Sequence, residues 1–514
     1  MTRSKTFGEN APPIGAISPK FDLLTLTFLT LVVRLALMPF NESFYGDAVA
    51  RTELAQRWLA SPHWIASASQ GAEQFGPLHI YGVAALLALG VPAADAGRWL
   101  SLLVGTATAI PLLLLARRLF GKEAAITSGL LFAFWGFHLQ LSTTGASEAL
   151  GLFWVLSACA ALASATERQQ GGWGALVLSG FCATLTCAVR YDLWLLLPWM
   201  GAVCFWRRGF GMASAWAACA ALFPALWLAG NAWVDGTPLG PIESVEAFHR
   251  AWVIEEQGRY VAFWGPLGNA IYTAVQLLFW PAIALITLGP WTAWAMARGL
   301  VGSWRERPAA RWCLAVIALP ALYFSFRAVL LQNFVPLARF TVVQLALALP
   351  FAGWVLRERR ARAWALLGTA TLAVVTGAFA LPVFPGMLGK VSELLRPVSP
   401  ISRNPPGILD AARFLRAERA AGGSVLLDSD PAYWDIQVGF FSGWEPSRLI
   451  RLRQQLEGRG PISASADWLV RLPRGALGSS IGREASGGRL LVGTRSYRQW
   501  ATLRDGVTIY HASP

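Results

Sequence analysis

The sequence predicts an α-helical polytopic membrane protein with about 11 transmembrane helices, followed by a C-terminal α/β domain outside the bilayer. Three observations carry this. Hydrophobic residues are 55% of the 514 positions and charged residues only 14%, against roughly 25% charged in an average soluble domain. A soluble chain of this make-up lacks the polar groups to cover its surface. The mean hydropathy of +0.46 and the 25 Trp fit a surface that faces lipid and its interfaces. The apolar residues also fall into separated runs of about the ~20 residues needed to cross ~30 Å of hydrocarbon.

Those runs lie near 21–40, 98–116, 123–141, 148–165, 173–189, 191–206, 212–234, 268–297, 312–330, 340–356 and 363–385. A twelfth run, 76–91, opens with Gly76-Pro77, carries His79 and is short for a span. Loop charge decides its role, because Lys and Arg beside span ends stay cytoplasmic. If 76–91 does not cross, Arg3, Lys5 and Lys20 fall on one side with Arg117, Arg118, Lys122, Arg168, Arg207 and Arg208. The clusters from Arg298 to Arg311 and from Arg357 to Arg362 join them there. The opposite loops between spans hold only Arg51, Arg57, Arg250 and Arg259. A full crossing by 76–91 would break this alternation, so a re-entrant or surface-lying helix is expected there. The N-terminus 1–20 is then cytoplasmic and the C-terminus outside. Most of the net charge of +14 is thus topological, and nucleic acid is not an expected partner.

Residues 1–20 are polar and hold two prolines, unlike a secretory signal, so the first span reads as an uncleaved anchor. The six cysteines all lie in or at the ends of predicted spans, leaving no disulfide framework for the outer loops. The membrane domain is expected over 21–385, with an outer loop 41–97 that combines the amphipathic stretch Asp47 to Ala60 with 76–91. A breaker-rich linker 386–407, just after Pro385, holds Pro397, Pro400, Pro405, Pro406 and Gly407. Beyond it, 408–514 reads as a small α/β domain. Helices are expected over Ile408 to Ala421 and Arg448 to Leu456, and strands over Ser424 to Ser429, Trp468 to Leu472, Arg489 to Thr494 and Val507 to His511. No internal repeat argues for an inverted-repeat transporter.

Under this topology Asp47, Arg98, Glu148, Arg190 and Arg339 all reach the outer boundary. Ionisable groups there are costly unless paired, hydrated or functional. Each has a structural reading. Asp47 caps its helix or pairs with Arg51 one turn on, and Glu148 answers a helix dipole. The three arginines anchor span ends by snorkelling, and His63 and His79 are satisfied boundary residues. As a group they suit chemistry on an anionic lipid-linked substrate. Arginine forks hold phosphate, a carboxylate takes a proton from an acceptor hydroxyl, and a divalent ion could bridge the carboxylates.

The run GDAVARTELAQRWLASPHW, Gly46 to Trp64, followed by FGPLHIYGVAALLALG, Phe75 to Gly90, resembles the first periplasmic loop of a known class. These are the GT-C fold, polyprenyl-phosphate-sugar-dependent membrane glycosyltransferases. The run is similar to that of the protein O-mannosyltransferases and the bacterial lipid A aminoarabinose transferases, and in this the chain resembles glycosyltransferase family 39. Asp47 matches the first acid of an Asp-Glu pair, Pro77-Leu78 a Pro-Leu, Arg98 a span-opening arginine, Arg117 to Gly121 a basic turn, and Glu148 a later acid. Arg339-Phe340 is similar to an Arg-Tyr near a late span. Ala48 stands where the second acid is usual, and Phe75-Gly76 where Lys-Pro is usual. The lysine that would meet donor phosphate is absent, which leaves that task to Arg98, Arg190 or Arg339.

The resemblance implies an inverting transfer from a polyprenyl-phosphate sugar to a hydroxyl or amine of a glycan, lipid or protein, in cell envelope glycosylation at the outer face of a bacterial-type inner membrane. Asp47 would be the general base, its pKa raised by burial, with Glu148 as a second catalytic carboxylate. Arg98, Arg190, Arg339, Tyr191, Arg51 and His79 would contact substrate, the basic cleft stabilising the leaving phosphate. Relatives differ in whether Asp47 and Glu148 also hold a divalent ion such as Mg or Mn, so the metal stays open. Tyr433-Trp434-Asp435, continued by Ile436-Gln437, resembles the Trp-Trp-Asp element of oligosaccharyltransferases, although an aromatic core pair beside a turn is the plainer reading. The alternatives are an oligosaccharyltransferase or glycan ligase, and a lipid-glycan flippase or transporter. The last would be favoured by mid-span charges, of which Arg34 and Arg327 are the clear cases.

Overall fold

A computed structural model describes residues 19–44, 46–64, 75–167, 172–380, 395–430, 433–452, 466–477, 482–485 and 488–513. The N-terminus through residue 18, Tyr45, Arg168, Pro385 with the first part of the linker, and 453–456 of the expected helix lie outside the described residues.

Among the described residues, seven helices are long and apolar enough to cross a bilayer: Asp22–Phe40, Ala93–Phe120, Glu148–Thr166, Gly240–Leu288, Pro308–Val329, Ala338–Val355 and Arg359–Phe379. Two bent pairs bring the number to nine if each is one span. Lys122–Phe134 meets Gly136–Thr143 at 60°, and Phe210–Ala220 meets Leu222–Asp235 at 45°. Among the described residues the expected eleven is not confirmed, for reasons of length. Trp173–Val189 has 17 residues, ~26 Å at ~1.5 Å per residue. The stretch expected over 191–206 opens as a 3-10 turn, Tyr191–Leu195, and only then becomes the helix Leu196–Arg208. Gly289, at φ 87°, ends the helix begun at Gly268 and starts Pro290–Glu306, so 268–297 is two helices. Pro77–Ala88 has 12 residues, ~18 Å, too short to cross.

Val342–Val355 is the axis of the bundle: every residue from Val342 to Trp354 is buried. It packs between Lys122–Phe134 and Pro290–Glu306. Its register is fixed by small residues, since a Cβ on Gly353 would fall 2.4 Å from the Ala124 carbonyl. Just before this rigid helix, the 3-10 turn Ala338–Thr341 carries Arg339.

The C-terminal sheet has seven short strands, β1 Val425–Leu427, β2 Leu449–Arg451, β3 Trp468–Arg471, β4 Arg483–Ala485, β5 Arg489–Val492, β6 Arg495–Thr502 and β7 Thr508–Ala512, in the order β2-β1-β3-β7-β6-β5-β4. Side chains alternate across it, as a pleat requires. Val425 and Leu427 join Ile408, Leu415 and Val438 on one face, while Leu426 joins Leu469, Leu490 and Tyr497 on the other. The helix expected over Arg448 to Leu456 is corrected at its start: Leu449–Arg451 pairs in parallel with β1, because a strand there buries Leu449 against the sheet core. The helix Trp434–Ser442 and strands β4 and β6 are elements that the sequence reading did not anticipate.

Candidate active site

The loop that follows the first span is fixed before it reaches Asp47. Asn41 is fully buried, and its Nδ2 donates to the Leu37 carbonyl at 3.1 Å, Thr143 Oγ1 at 2.9 Å and the Pro400 carbonyl at 3.1 Å. The Glu42 and Ser43 N–H groups both donate to the Ser402 carbonyl, at 2.7 and 3.0 Å. Helix Gly46–Ala60 then begins with Asp47 in its first turn, where a carboxylate is favoured by the helix dipole.

The second carboxylate arrives from the bundle. After the bent helix Gly136–Thr143, Gly145 takes φ 77°, a left-handed turn at which a Cβ would lie 3.3 Å from the Gly97 backbone. Glycine permits both the turn and the close approach, and the following helix opens at Glu148. Gly76 brings the third piece together: a Cβ there would fall 2.5 Å from the Val189 carbonyl. The 75–79 segment therefore crosses directly over the helix end that presents Arg190.

These elements build one chain of charges. Arg339 Nη1 meets Asp47 Oδ2 at 2.5 Å, and its Nε lies 3.7 Å from Glu148 Oε1. Arg190 Nη1 donates to the same Glu148 oxygen, and its Nε to Asp192 Oδ1 at 2.9 Å. Arg51 Nη2 stands 3.8 Å from Asp47 Oδ2. Arg190 and Arg339 flank the Phe340 ring at 5.2 and 5.8 Å, and Arg51 lies 4.5 Å over Phe75. Three carboxylates thus face three guanidiniums. Accessibility separates the two acids: the Asp47 side chain is 33% exposed and that of Glu148 2%. Asp47 can meet a substrate, whereas Glu148 sits behind and holds the two arginines.

The expected upward shift of the Asp47 pKa is a correction. Burial does push it up, but Arg339 and then Arg51 outweigh burial and hold it at about 2. Burial conversely lowers the Arg51 guanidinium to about 10, against the pull of Asp47 and Glu148.

The structure brings Asp47, Arg51, Glu148, Arg190 and Arg339 together, and sets the other expected contacts apart. Arg98 donates to the Thr143 carbonyl at 3.2 Å, to Asp95 Oδ1 at 3.0 Å and to the Met38 carbonyl. Its fork is spent tying three segments together. Arg98→Met is therefore expected to destabilise the protein by about 1–3 kcal/mol, the cost of leaving the buried Thr143 carbonyl without its donor. Unfolding midpoints in detergent would check this, with the donor KM moving less than in Arg339→Lys. His79 is buried, and among the described residues neither ring nitrogen has a hydrogen-bond partner. Burial, and secondarily Arg51, holds its imidazole well below the usual range. The Tyr191 hydroxyl donates to the Phe75 carbonyl at 3.3 Å and accepts from Trp227 Nε1 at 2.9 Å, as part of the wall.

A divalent ion does not fit between Asp47 and Glu148. The Arg339 guanidinium already bridges them, and a second cation in that place would be repelled. Among the described residues no three His, Cys, Asp or Glu converge. In this structure the Arg339 guanidinium takes the place that a metal shared by these two residues would need. Two partners of the Asp47 helix were not singled out from sequence, Glu53 with Arg451 and Phe44 with Gln437. Their separation of more than 390 positions left no local signal.

Comparison with known proteins adds three findings. A family model described as dolichyl-phosphate-mannose-protein mannosyltransferase matches residues 75–231, a segment that includes Arg98, Glu148 and Arg190. No curated protein matches the chain. Among solved structures, ArnT from Cupriavidus metallidurans bound to undecaprenyl phosphate aligns with a TM-score of 0.60 at 12% identity, covering 96% of this chain and 98% of ArnT. Its apo form gives 0.57 at 14% identity with the same coverage. An Archaeoglobus fulgidus oligosaccharyltransferase, in complex with Zn and sulfate, gives 0.52 at 16% identity. That alignment covers 84% of this chain but 62% of the oligosaccharyltransferase, so the chain spans about three fifths of its length. At such identities the likeness is one of fold, and the fold is the GT-C architecture expected from the sequence, with a C-terminal sheet domain.

Proposed function

We propose that this chain is an integral membrane glycosyltransferase that moves a sugar from a polyprenyl-phosphate donor to a hydroxyl or amine acceptor by an inverting displacement. The observation that carries the reading is the pairing of one accessible carboxylate, Asp47, with Arg339, which also reaches the buried Glu148. In the reaction the acceptor oxygen or nitrogen attacks the anomeric carbon, and its proton passes to Asp47. The bond from the anomeric carbon to phosphate oxygen breaks, and the polyprenyl phosphate leaves as an anion. Arg339 and Arg190 receive that charge where solvent is scarce, so their stabilisation of the leaving group is strong. Glu148 does not touch substrate in this scheme; it keeps both guanidiniums aimed at the leaving phosphate.

A lipid-phosphate donor is supported by the family description and by the likeness to a structure bound to undecaprenyl phosphate. The loop cations support a cytoplasmic N-terminus and a site at the outer face of the inner membrane. Against transport, the mid-span Arg34 is fully buried and bonded to the Thr30 carbonyl at 3.1 Å and His138 Nδ1 at 2.7 Å. Arg327 is held at an outer end by Asn333 Oδ1 at 3.0 Å. The test is incubation of the purified protein with a panel of polyprenyl-phosphate monosaccharides and mixed acceptors, followed by mass spectrometry. Consumption of one donor with release of polyprenyl phosphate is expected. A folded protein that consumes none of them, yet moves lipid-linked glycans across vesicles, would overturn the enzyme reading.

A further inference from the structure

The α/β domain touches the segment that carries Asp47 through contacts that the proposed reaction does not use. Gln437, on the helix Trp434–Ser442, donates from Nε2 to the Phe44 carbonyl at 2.8 Å, and the Phe44 N–H donates to Gln437 Oε1 at 3.4 Å. One side-chain amide thus satisfies both backbone groups of the residue three positions before Asp47. Gln437 and Phe44 are both buried, which strengthens the pair and makes its loss costly. The Phe44 ring packs on Phe440 and Phe441, at 5.7 and 5.5 Å. Ile436 covers Gly46, where a Cβ would come within 3.2 Å of Ile436 Cδ1. Two turns along the same helix, Arg451 from strand β2 grips Glu53 with Nη2 to Oε1 at 2.6 Å and Nη1 to Oε2 at 3.4 Å. Arg396 completes the arrangement, bonding Ser43 Oγ at 2.6 Å while its guanidinium lies 4.3 Å over the Trp434 ring.

A helix of this length is marginal by itself, and its first turn is the part that frays. Asp47 is in that first turn. The contacts from the C-terminal domain grip the chain immediately before it and again at Glu53, so they fix both the origin and the axis of the helix. The Tyr433-Trp434-Asp435 motif is explained in the same way. It opens the helix whose next residues, Ile436 and Gln437, meet the Asp47 loop.

We propose that the C-terminal domain is a positioning element for the base, with Gln437 as the principal positioning residue and Arg451 as the second. This inference rests on the reading of Asp47 as the base. A displacement of ~1 Å at a reacting group can cost ~10²-fold in rate. In the full-length protein, Gln437→Met keeps the volume and loses both hydrogen bonds. It is expected to lower kcat about 10-fold or more with the donor KM within about twofold. Gln437→Glu, which keeps only the acceptor, is expected to fall between. Arg451→Met is expected to lower kcat and Arg451→Lys to restore most of it. A folded Gln437→Met protein with the parental kcat overturns the inference. So does a loss that tracks the unfolding midpoint and vanishes on cooling, because that is a stability effect alone. If Asp47→Asn is inactive while Gln437→Met is unaffected, only the positioning role falls. If Asp47→Asn stays active, the reading of the base falls first.

Discussion

Replacing Asp47 with asparagine is expected to lower sugar transfer by about 10²–10⁴-fold, the usual contribution of a positioned general base, and Asp47→Ala to abolish it. Asparagine keeps the volume and the helix start, so expression, helix content and donor binding should persist. What it removes is the proton acceptor and the anion that Arg339 and Arg51 face. The pH dependence carries a further consequence. The carboxyl is held at about 2, below its ordinary 3.8, so its ion pairs are fully present above the ordinary value and are lost only as pH falls through about 2. A carboxylate that acidic is a weak base. When donor phosphate competes for Arg339, the main stabiliser of the anion is drawn off and burial raises the Asp47 pKa. The acid limb of kcat, which reports the substrate complex, is therefore expected at higher pH than the acid limb of kcat/KM, which reports the free protein. Coincident limbs would mean that Arg339 never leaves Asp47. A near-normal rate in Asp47→Asn would remove Asp47 from the chemistry.

Much of this site could be read in the sequence because topology gathers residues by side. With the loop cations read as marking one side, Asp47, Glu148, Arg190 and Arg339 were expected on the opposite face, and the structure joins them within hydrogen-bonding reach or close to it. Arg98 met the same criterion and went elsewhere, because what claims it is a pair of backbone carbonyls whose positions depend on the bend at Trp135 and the 3-10 turn at Met38. The direction of the Asp47 shift failed for a related reason. Burial can be guessed from a boundary position, whereas the arginine that reverses its effect lies 292 residues away. In the fold, the apolar runs were legible and their continuity was not. Gly289 and Tyr191–Leu195 interrupt stretches that hydropathy alone joins. In the C-terminal domain, Leu449 has the apolar spacing of either a helix or a strand, and only the neighbouring β1 decides for the strand.

Arg339→Lys is expected to lower kcat/KM for the donor about 10–100-fold, from the loss of a charge-assisted hydrogen bond worth about 1.5–3 kcal/mol. Arginine can serve two acids at once, with Nη1 toward Asp47 and Nε toward Glu148, because its donors form a planar fork. Lysine keeps the charge but offers a single point, so it can meet Asp47 or Glu148, not both. Arg339→Met removes the charge as well and leaves two carboxylates with only Arg51 and Arg190 between them. Breaking a buried pair from one side costs up to about 3–5 kcal/mol, and the one-third exposure of Asp47 puts this case toward the lower end. The methionine protein is accordingly expected to lose both activity and unfolding midpoint, and the lysine protein activity alone. That difference isolates the bridging role from simple charge balance. A lysine variant with parental kcat/KM would mean that a point charge suffices, and the leaving phosphate would then be held chiefly by Arg190, which keeps its own contacts to Glu148 and Asp192.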